Sequence, residues 1–200
     1  MMNRKIRKNF DAAYYKRFYE DPQTRAFGPG DLEQLVGHVA SYLNYLRIPV
    51  RRALDIGCGL GKWQKALEKH YPRLEFTGID TSEHLCEEHG WTRASITTFK
   101  PKAKYDLVVC QSLLQYLKAG DVQAGLKNMA GLCGGALYLE LVTREDWEEN
   151  CDQTSTDGAI HLRSAAWYRK EIRKYFINCG GGVFLPNDSP VTLYELERIR

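Results

Sequence analysis

Three glycines at alternate positions, Gly57, Gly59 and Gly61, follow the apolar run Ala53-Leu54-Asp55-Ile56, with Cys58 inside the run and Lys62-Trp63 after it. Glycine has no β-carbon, so such a turn lets a ligand approach the backbone, and a helix starting directly after it adds unpaired N–H donors. A polar or anionic ligand suits that loop. A second apolar run, Phe76-Thr77-Gly78-Ile79, ends on Asp80 and is followed by Thr81-Ser82-Glu83. A carboxylate at the C-terminal edge of a strand can accept both hydroxyls of a ribose; the plainer reading is an N-cap for the next helix. The distance from the glycine loop favours the first.

Two familiar chemistries fit this spacing poorly. A dinucleotide fingerprint places its third glycine three residues after the second, whereas Gly61 follows Gly59 by two and an acid precedes the run. A phosphate-binding P-loop needs four residues between its glycines and then Gly-Lys-Ser/Thr, but Lys62 is followed by Trp63. Hydride transfer with NAD or FAD, and ATP hydrolysis, are disfavoured.

The pattern Asp55-x-Gly57-x-Gly59-x-Gly61 resembles the first motif of class I, S-adenosylmethionine-dependent methyltransferases, and the resemblance spans residues 50–142 by motif. It implies S-adenosyl-L-methionine as cofactor, S-adenosyl-L-homocysteine as product, and a loop of Asp55, Gly57, Cys58, Gly59 and Gly61 packed on the methionine part. It also makes Asp80 the ribose acid, with Thr81 beside it. Ser95 and Ile96 stand where relatives carry an aspartate for the adenine amino group and an apolar neighbour. Gln111 and Ser112 follow the fourth strand, where methyl group and acceptor meet. A segment before the first strand closes over the cofactor in many relatives; here Tyr14, Tyr15 and Tyr19 would do this, with Arg25 pairing the methionine carboxylate. The plainer reading of these tyrosines is an anchor for an N-terminal helix.

A sulfonium methyl is already activated, so transfer needs alignment and a dry site more than a nucleophilic residue. An oxygen or nitrogen acceptor still loses a proton, and His161, after a long polar stretch, is the candidate base; a capping or exposed histidine is the alternative. Glu140, Tyr116 and Trp147 are candidates for the wall of an acceptor pocket, which suits a small molecule. Three other readings stay open: a non-catalytic S-adenosylmethionine-binding partner, an RNA or protein methyltransferase using the basic run Arg169, Lys170, Arg173 and Lys174, and aminopropyl transfer. The Asn/Asp-Pro-Pro-aromatic signature of base methylation is absent, Gln111-Ser112-Leu113-Leu114 standing in its place.

These residues need strands to hold them. Val50–Ile56, Leu74–Ile79, Tyr105–Cys110 and Ala136–Val142 are short apolar runs alternating with helical stretches, which predicts a doubly wound α/β fold with a mostly parallel sheet. The resemblance raises this to seven strands with an antiparallel C-terminal strand and an N-terminal helical lid. Tyr175–Leu185 and Val191–Ile199, joined by Pro186-Asn187-Asp188-Ser189-Pro190, suggest a terminal hairpin. Leu32, Leu35, Val36, Val39, Leu43 and Leu46 recur at helical spacing behind Asp31, a candidate cap. Asp106, at the start of its strand, lies at the wrong edge for ligands and is assigned a structural role. We expect one methyltransferase domain over residues 1–200, with a helical segment 1–48 and a core 49–200. A net charge of +3 gives no case for a nucleic-acid partner. Six scattered cysteines without a close pair read as free thiols, and no run approaches a membrane span. A cytoplasmic protein with no membrane partner and no metal site is the expectation; His84, Glu88 and His89 are read as a solvated helix face.

Overall fold

The computed structural model describes residues 10–25 and 28–199. Its centre is a seven-stranded sheet of β1 (Arg52–Ile56), β2 (Glu75–Asp80), β3 (Thr92–Arg93), β4 (Tyr105–Gln111), β5 (Cys133–Glu140), β6 (Phe176–Asn178) and β7 (Val183–Pro186), in the order β3-β2-β1-β4-β5-β7-β6. The β1–β2, β2–β3, β1–β4 and β4–β5 pairs are parallel, while β7 runs antiparallel to both β5 and β6. Strand order reverses between β1 and β4, so the chain leaves their C-terminal ends in opposite directions and opens a crevice there. The glycine loop and Gln111-Ser112 flank that crevice.

Side-chain alternation along the strands feeds two apolar layers. Ala53, Leu107, Val109, Ala136 and Tyr138 pack with α2 (Pro29–Tyr45) and α3 (Lys62–His70) on one face. Leu54, Ile56, Val108, Cys110, Leu137 and Leu139 pack with α5 (Ala119–Leu132) and α6 (Ala165–Ile172) on the other. Between β2 and β3 lies α4 (Glu83–His89), where His84 and Glu88 form an exposed i,i+4 ion pair. Asp106 accepts the backbone N–H groups of Arg51 and Arg52 at 2.8 and 2.9 Å, which fixes the start of β1 beside β4.

Two local readings are corrected. Asp31 does not sit at the N-cap of α2: the helix begins at Pro29, and Asp31 reaches back from the third helical position to accept the Gly28 N–H at 2.8 Å. Proline at the first turn sacrifices no helical hydrogen bond, which is why the start moves forward. The terminal hairpin turns not at 186–190 but at Gly180-Gly181-Gly182, all with positive φ, so that β6 and β7 are complete by Pro186, the last residue of β7. Residues 191–199 hold a short 3-10 turn and a single bridge, Asn178 to Ile199, in place of a strand.

At the other end, α1 (Ala12–Tyr15) is capped by Asp11, whose carboxylate accepts Tyr14 N–H at 2.9 Å, and continues as a π-helical turn over Lys16–Glu20. Tyr14, Tyr15 and Leu85 form a small apolar cluster of their own, with Phe10, Phe18, Tyr19, Leu60 and Trp91 against it. Among the described residues no helix is long and apolar enough to cross a membrane.

Candidate functional site

Gly57, Gly59 and Gly61 hold φ of +74°, +50° and +66°, the left-handed region that a side chain resists. The loop does not, however, aim its N–H groups outward. Gly57 and Cys58 donate to Ile79 O at 2.8 and 3.2 Å, Gly59 to Asp80 Oδ2 at 3.1 Å, and Gly61 to Cys58 O at 2.9 Å. The glycines therefore supply room more than donors. Part of that room is taken from behind by Trp91, whose indole N–H donates to Gly59 O at 3.0 Å and whose ring would lie 2.5 Å from a β-carbon on Gly61 and 2.6 Å from one on Gly78. Trp91 escaped the sequence reading, since a lone aromatic after the Gly90 helix end carries no pattern.

Two cavities open over the crevice. The first, about 370 Å³, runs from Asp55, Gly57, Cys58 and Gly59 past Lys62 and Trp63 to the start of α2 and to Ser155-Thr156-Asp157. The second, about 250 Å³, runs from Gly57 past Asp80 and Thr81 to Ser95, Ile96 and Leu117. Tyr14, Tyr15, Tyr19, Gly57, Gln111, Ser112 and Tyr116 border both, and so mark the seam between them. The sequence-predicted residues Tyr15, Tyr19, Asp55, Gly57, Cys58, Gly59, Asp80, Thr81, Ser95, Ile96, Gln111 and Ser112 all line one cavity or both. Arg25, Gly61 and His161 line neither. Gly61 instead starts α3 and accommodates Trp91. Arg25 lies near enough to Lys62 to help burial lower the lysine's pKa. His161 donates its backbone N–H to Gln115 O at 2.8 Å, and its imidazole pKa is lowered by burial and then by Arg163 and Lys118.

Each carboxylate has a distinct setting. Asp80 accepts Gly59 N–H on one oxygen and Ser82 N–H, at 2.8 Å, on the other, which leaves two of its roughly four lone-pair sites available. Asp55 is 3 % exposed and has no hydrogen-bond partner among the described residues; burial, then the nearby Asp80 charge, pushes its pKa up to about 8. A buried carboxylate on a cavity wall without a donor is strongly suited to a cationic ligand group.

The seam is held from behind. Trp63 donates its indole N–H to Gln111 Oε1 at 2.7 Å, and Gln111 donates through Nε2 to Glu140 Oε2 at 2.8 Å. Tyr138 OH donates to the same Glu140 oxygen at 3.0 Å, and Ser112 N–H to Glu140 O at 2.8 Å. Ser112 has φ of +54°, a left-handed conformation on a non-glycine residue. Glu140 thus braces the wall without lining it, and Trp147 lies under Gly158 in the loop that carries Asp157. The residues that sequence reasoning missed are Trp63, Gln115, Asp157 and the bracing Trp91. Only the length of the 143–160 stretch hinted at Asp157.

The comparisons agree with this architecture. A family described as a methyltransferase domain matches residues 54–135. The trans-aconitate 2-methyltransferase of Rhodopseudomonas palustris is 30% identical over 112 residues, covering 52% of this chain and 41% of that protein. The ubiquinone biosynthesis O-methyltransferase of Coxiella burnetii is 30% identical over 108 residues, covering 47% and 44%. The chain thus matches less than half the length of these curated relatives. Among solved structures, the plantazolicin methyltransferase BpumL with a triazolic analogue and SAH superposes with a TM-score of 0.63 at 16% identity, covering 92% of this chain and 84% of that one. Magnesium protoporphyrin IX methyltransferase from Synechocystis PCC 6803 with bound SAM gives a TM-score of 0.55 at 20% identity, covering 82% and 80%. Fold, motif and family profile converge: residues 54–135 match a methyltransferase domain, and the fold superposes on solved methyltransferases.

Proposed function

We propose that this chain binds S-adenosylmethionine across the two cavities and transfers its methyl group to a small organic acceptor, as a single domain. The observation that carries the reading is the unpartnered, buried Asp55 on the same crevice as Asp80, whose carboxylate keeps two lone-pair sites open. Asp80 would hold the ribose hydroxyls, Asp55 the amino group, and Ser95 and Ile96 the adenine edge. When bound, the cofactor supplies a sulfonium methyl already activated toward displacement. The chain's contribution is alignment and exclusion of water: Tyr14, Tyr15 and Tyr19 cover the seam, and Gln111 and Ser112, braced by Glu140, fix its floor. The name of the trans-aconitate 2-methyltransferase among the curated relatives supports a small-molecule acceptor. His161, off both cavities, is not given the role of base in this reading.

Calorimetric titration with S-adenosylmethionine, S-adenosylhomocysteine and NAD tests it. Binding of the first two without NAD is expected; binding of NAD alone would overturn it.

A further inference from the structure

The charged residues that border the first cavity are Glu33, Asp55, Lys62, Lys65, Lys69 and Asp157, and they are sorted by sign along it. Asp55, in β1 beside the glycine loop, and Asp157, which accepts the Tyr116 hydroxyl at 3.2 Å, lie toward the seam. The three cations all stand on α3, three and four residues apart, and so share one face of that helix over about 10 Å. Across from them, Leu32 and Glu33 of α2 border the same cavity. A solvated helix face is the ordinary reading of lysines so spaced, but these three also border the cavity that starts at the glycine loop. Two of them are committed: Lys62 Nζ donates to Tyr19 O at 2.8 Å, and Lys69 Nζ is paired with Glu33 Oε1 at 2.5 Å, from α3 to α2. Arg25 and Glu20 act on the charge of Lys62 in opposite directions. Lys65, one turn from each of the other two, is exposed and has no side-chain partner among the described residues. This arm of the cavity therefore sets three cations against the one carboxylate of Glu33.

Resting on the methyltransferase reading, we infer that the acceptor is an elongated carboxylic acid, its methylated atom at the seam and its carboxylate at the far end of the cavity, held by Lys65 with Lys69. The aryl or alkyl stretch between the two ends lies against Leu32 of α2 and the buried Ala66 of α3, which border the cavity between the lysines and the aromatic seam. Those apolar walls keep water from part of the ion pair and strengthen it. A carboxylate entering between the helices meets the free ammonium of Lys65 first and competes with Glu33 for Lys69. One free ammonium and one shared with Glu33 match a single negative charge; a phosphate would need a wider set of donors. A cationic tail would be opposed by all three lysines. Lys65 and Lys69 lie about 5 and 10 Å along α3 from Lys62, so they select for the length of the acceptor as well as for its charge. They are specificity-determining residues, remote from the reacting atoms.

The test uses three probes of one ring and one reach: 3-(4-hydroxyphenyl)propionate, its primary amide, and 4-(3-aminopropyl)phenol. Each is titrated by NMR into the full chain saturated with S-adenosylhomocysteine, so that the cofactor's own carboxylate is already in place. The carboxylate is expected to bind about five- to tenfold tighter than the amide and the amine more weakly than either, a preference that shrinks as salt is raised. Lys65→Gln should cost the carboxylate about three- to fivefold, the scale of a part-exposed ion pair, and leave the amide unchanged. Because the amide must still bind, a variant that failed to fold is told apart from one that lost its anion site. Reversal of both charges in Lys65→Glu/Lys69→Glu should place the amine above the carboxylate, whereas Lys127→Glu, on α5 and off both cavities, should leave the order intact. No binding by any probe, no preference for the carboxylate, an unchanged order in the double variant, or an equal change in Lys127→Glu would each overturn the inference. So would a loss of S-adenosylhomocysteine affinity in Lys65→Gln with the probe order preserved, since it would give that lysine to the cofactor. Failure of S-adenosylhomocysteine to bind the unaltered chain at all, measured first by calorimetry, would instead sink the methyltransferase reading.

Discussion

Asp55 and Asp80 stand close enough for the charge of one to raise the pKa of the other, and the protein resolves this by giving Asp80 two backbone donors and Asp55 none. Asp80→Ala is expected to weaken S-adenosylhomocysteine binding by about 1–3 kcal/mol, the worth of a charge-assisted hydrogen bond, measured by calorimetry. Asp55 titrates near 8 when folded, against an ordinary 3.8, so the folded chain holds a proton that the unfolded chain releases. Its contribution to stability is complete at low pH and is lost as pH rises through about 8. Thermal scans of the free protein should accordingly show a drop in Tm between about pH 5 and pH 9 that is shallower in Asp55→Asn. Gln115 offers a third check. Its buried oxygen lacks a donor, a cost of about 1–3 kcal/mol in the free protein, so Gln115→Leu should raise Tm while leaving affinity for S-adenosylhomocysteine unchanged.

At the scale of elements, the site depends on segments that differ greatly in how they are held. The end of β4 is braced by Glu140 from the next strand, and Ser112 is kept there in a left-handed conformation. Ser112→Gly should alter stability by less than about 1 kcal/mol, whereas Ser112→Val, β-branched at positive φ, should lose roughly 1–3 kcal/mol, read by chemical denaturation. By contrast α1 has four residues before its π-helical turn, too few to be helical alone. Its position rests on the small aromatic cluster, the Tyr14–Tyr116 contact and the Lys62 bond to Tyr19 O. Amides of 12–20 should exchange with solvent far faster than those of β4 and β5, and slow when S-adenosylhomocysteine binds. Sequence legibility follows the same division. The glycine run and Asp80 could be read because strand-end positions and steric need restrict residue type. The terminal hairpin was misplaced because Val191–Ile199 looks strand-like, while the three consecutive glycines that turn the chain were weighed less than the prolines. Gln115, Trp91 and Asp157 were illegible because what places them is contact between segments remote in sequence.

For the molecule as a whole, the seven strands and the antiparallel strand toward the C-terminus were legible through the family resemblance, and the parallel character through apolar runs alternating with helical stretches; the strand order comes from the structure. Strand β3, only Thr92 and Arg93, has no apolar signal and is held by pairing with the end of β2. Because the two apolar layers lie on opposite faces of the sheet and the crevice at its C-terminal edge, substitutions in the site and at layer residues that do not line it, such as Leu43 or Met129, should have nearly additive effects on stability.

The placement of indole rings adds a practical consequence. Of the four tryptophans, Trp63 donates to Gln111 on the cavity floor, Trp91 donates to Gly59 behind the glycine loop and Trp147 lies under Gly158 beside the cavity-lining Asp157, while Trp167, on α6, lines neither cavity. The wild-type chain therefore contains its own fluorophores at the place where a ligand changes polarity, and Trp167 outside both linings to serve as an internal reference. Emission of the unlabelled protein should track occupancy, with Trp63→Phe removing most of the ligand-dependent change and Trp167→Phe almost none.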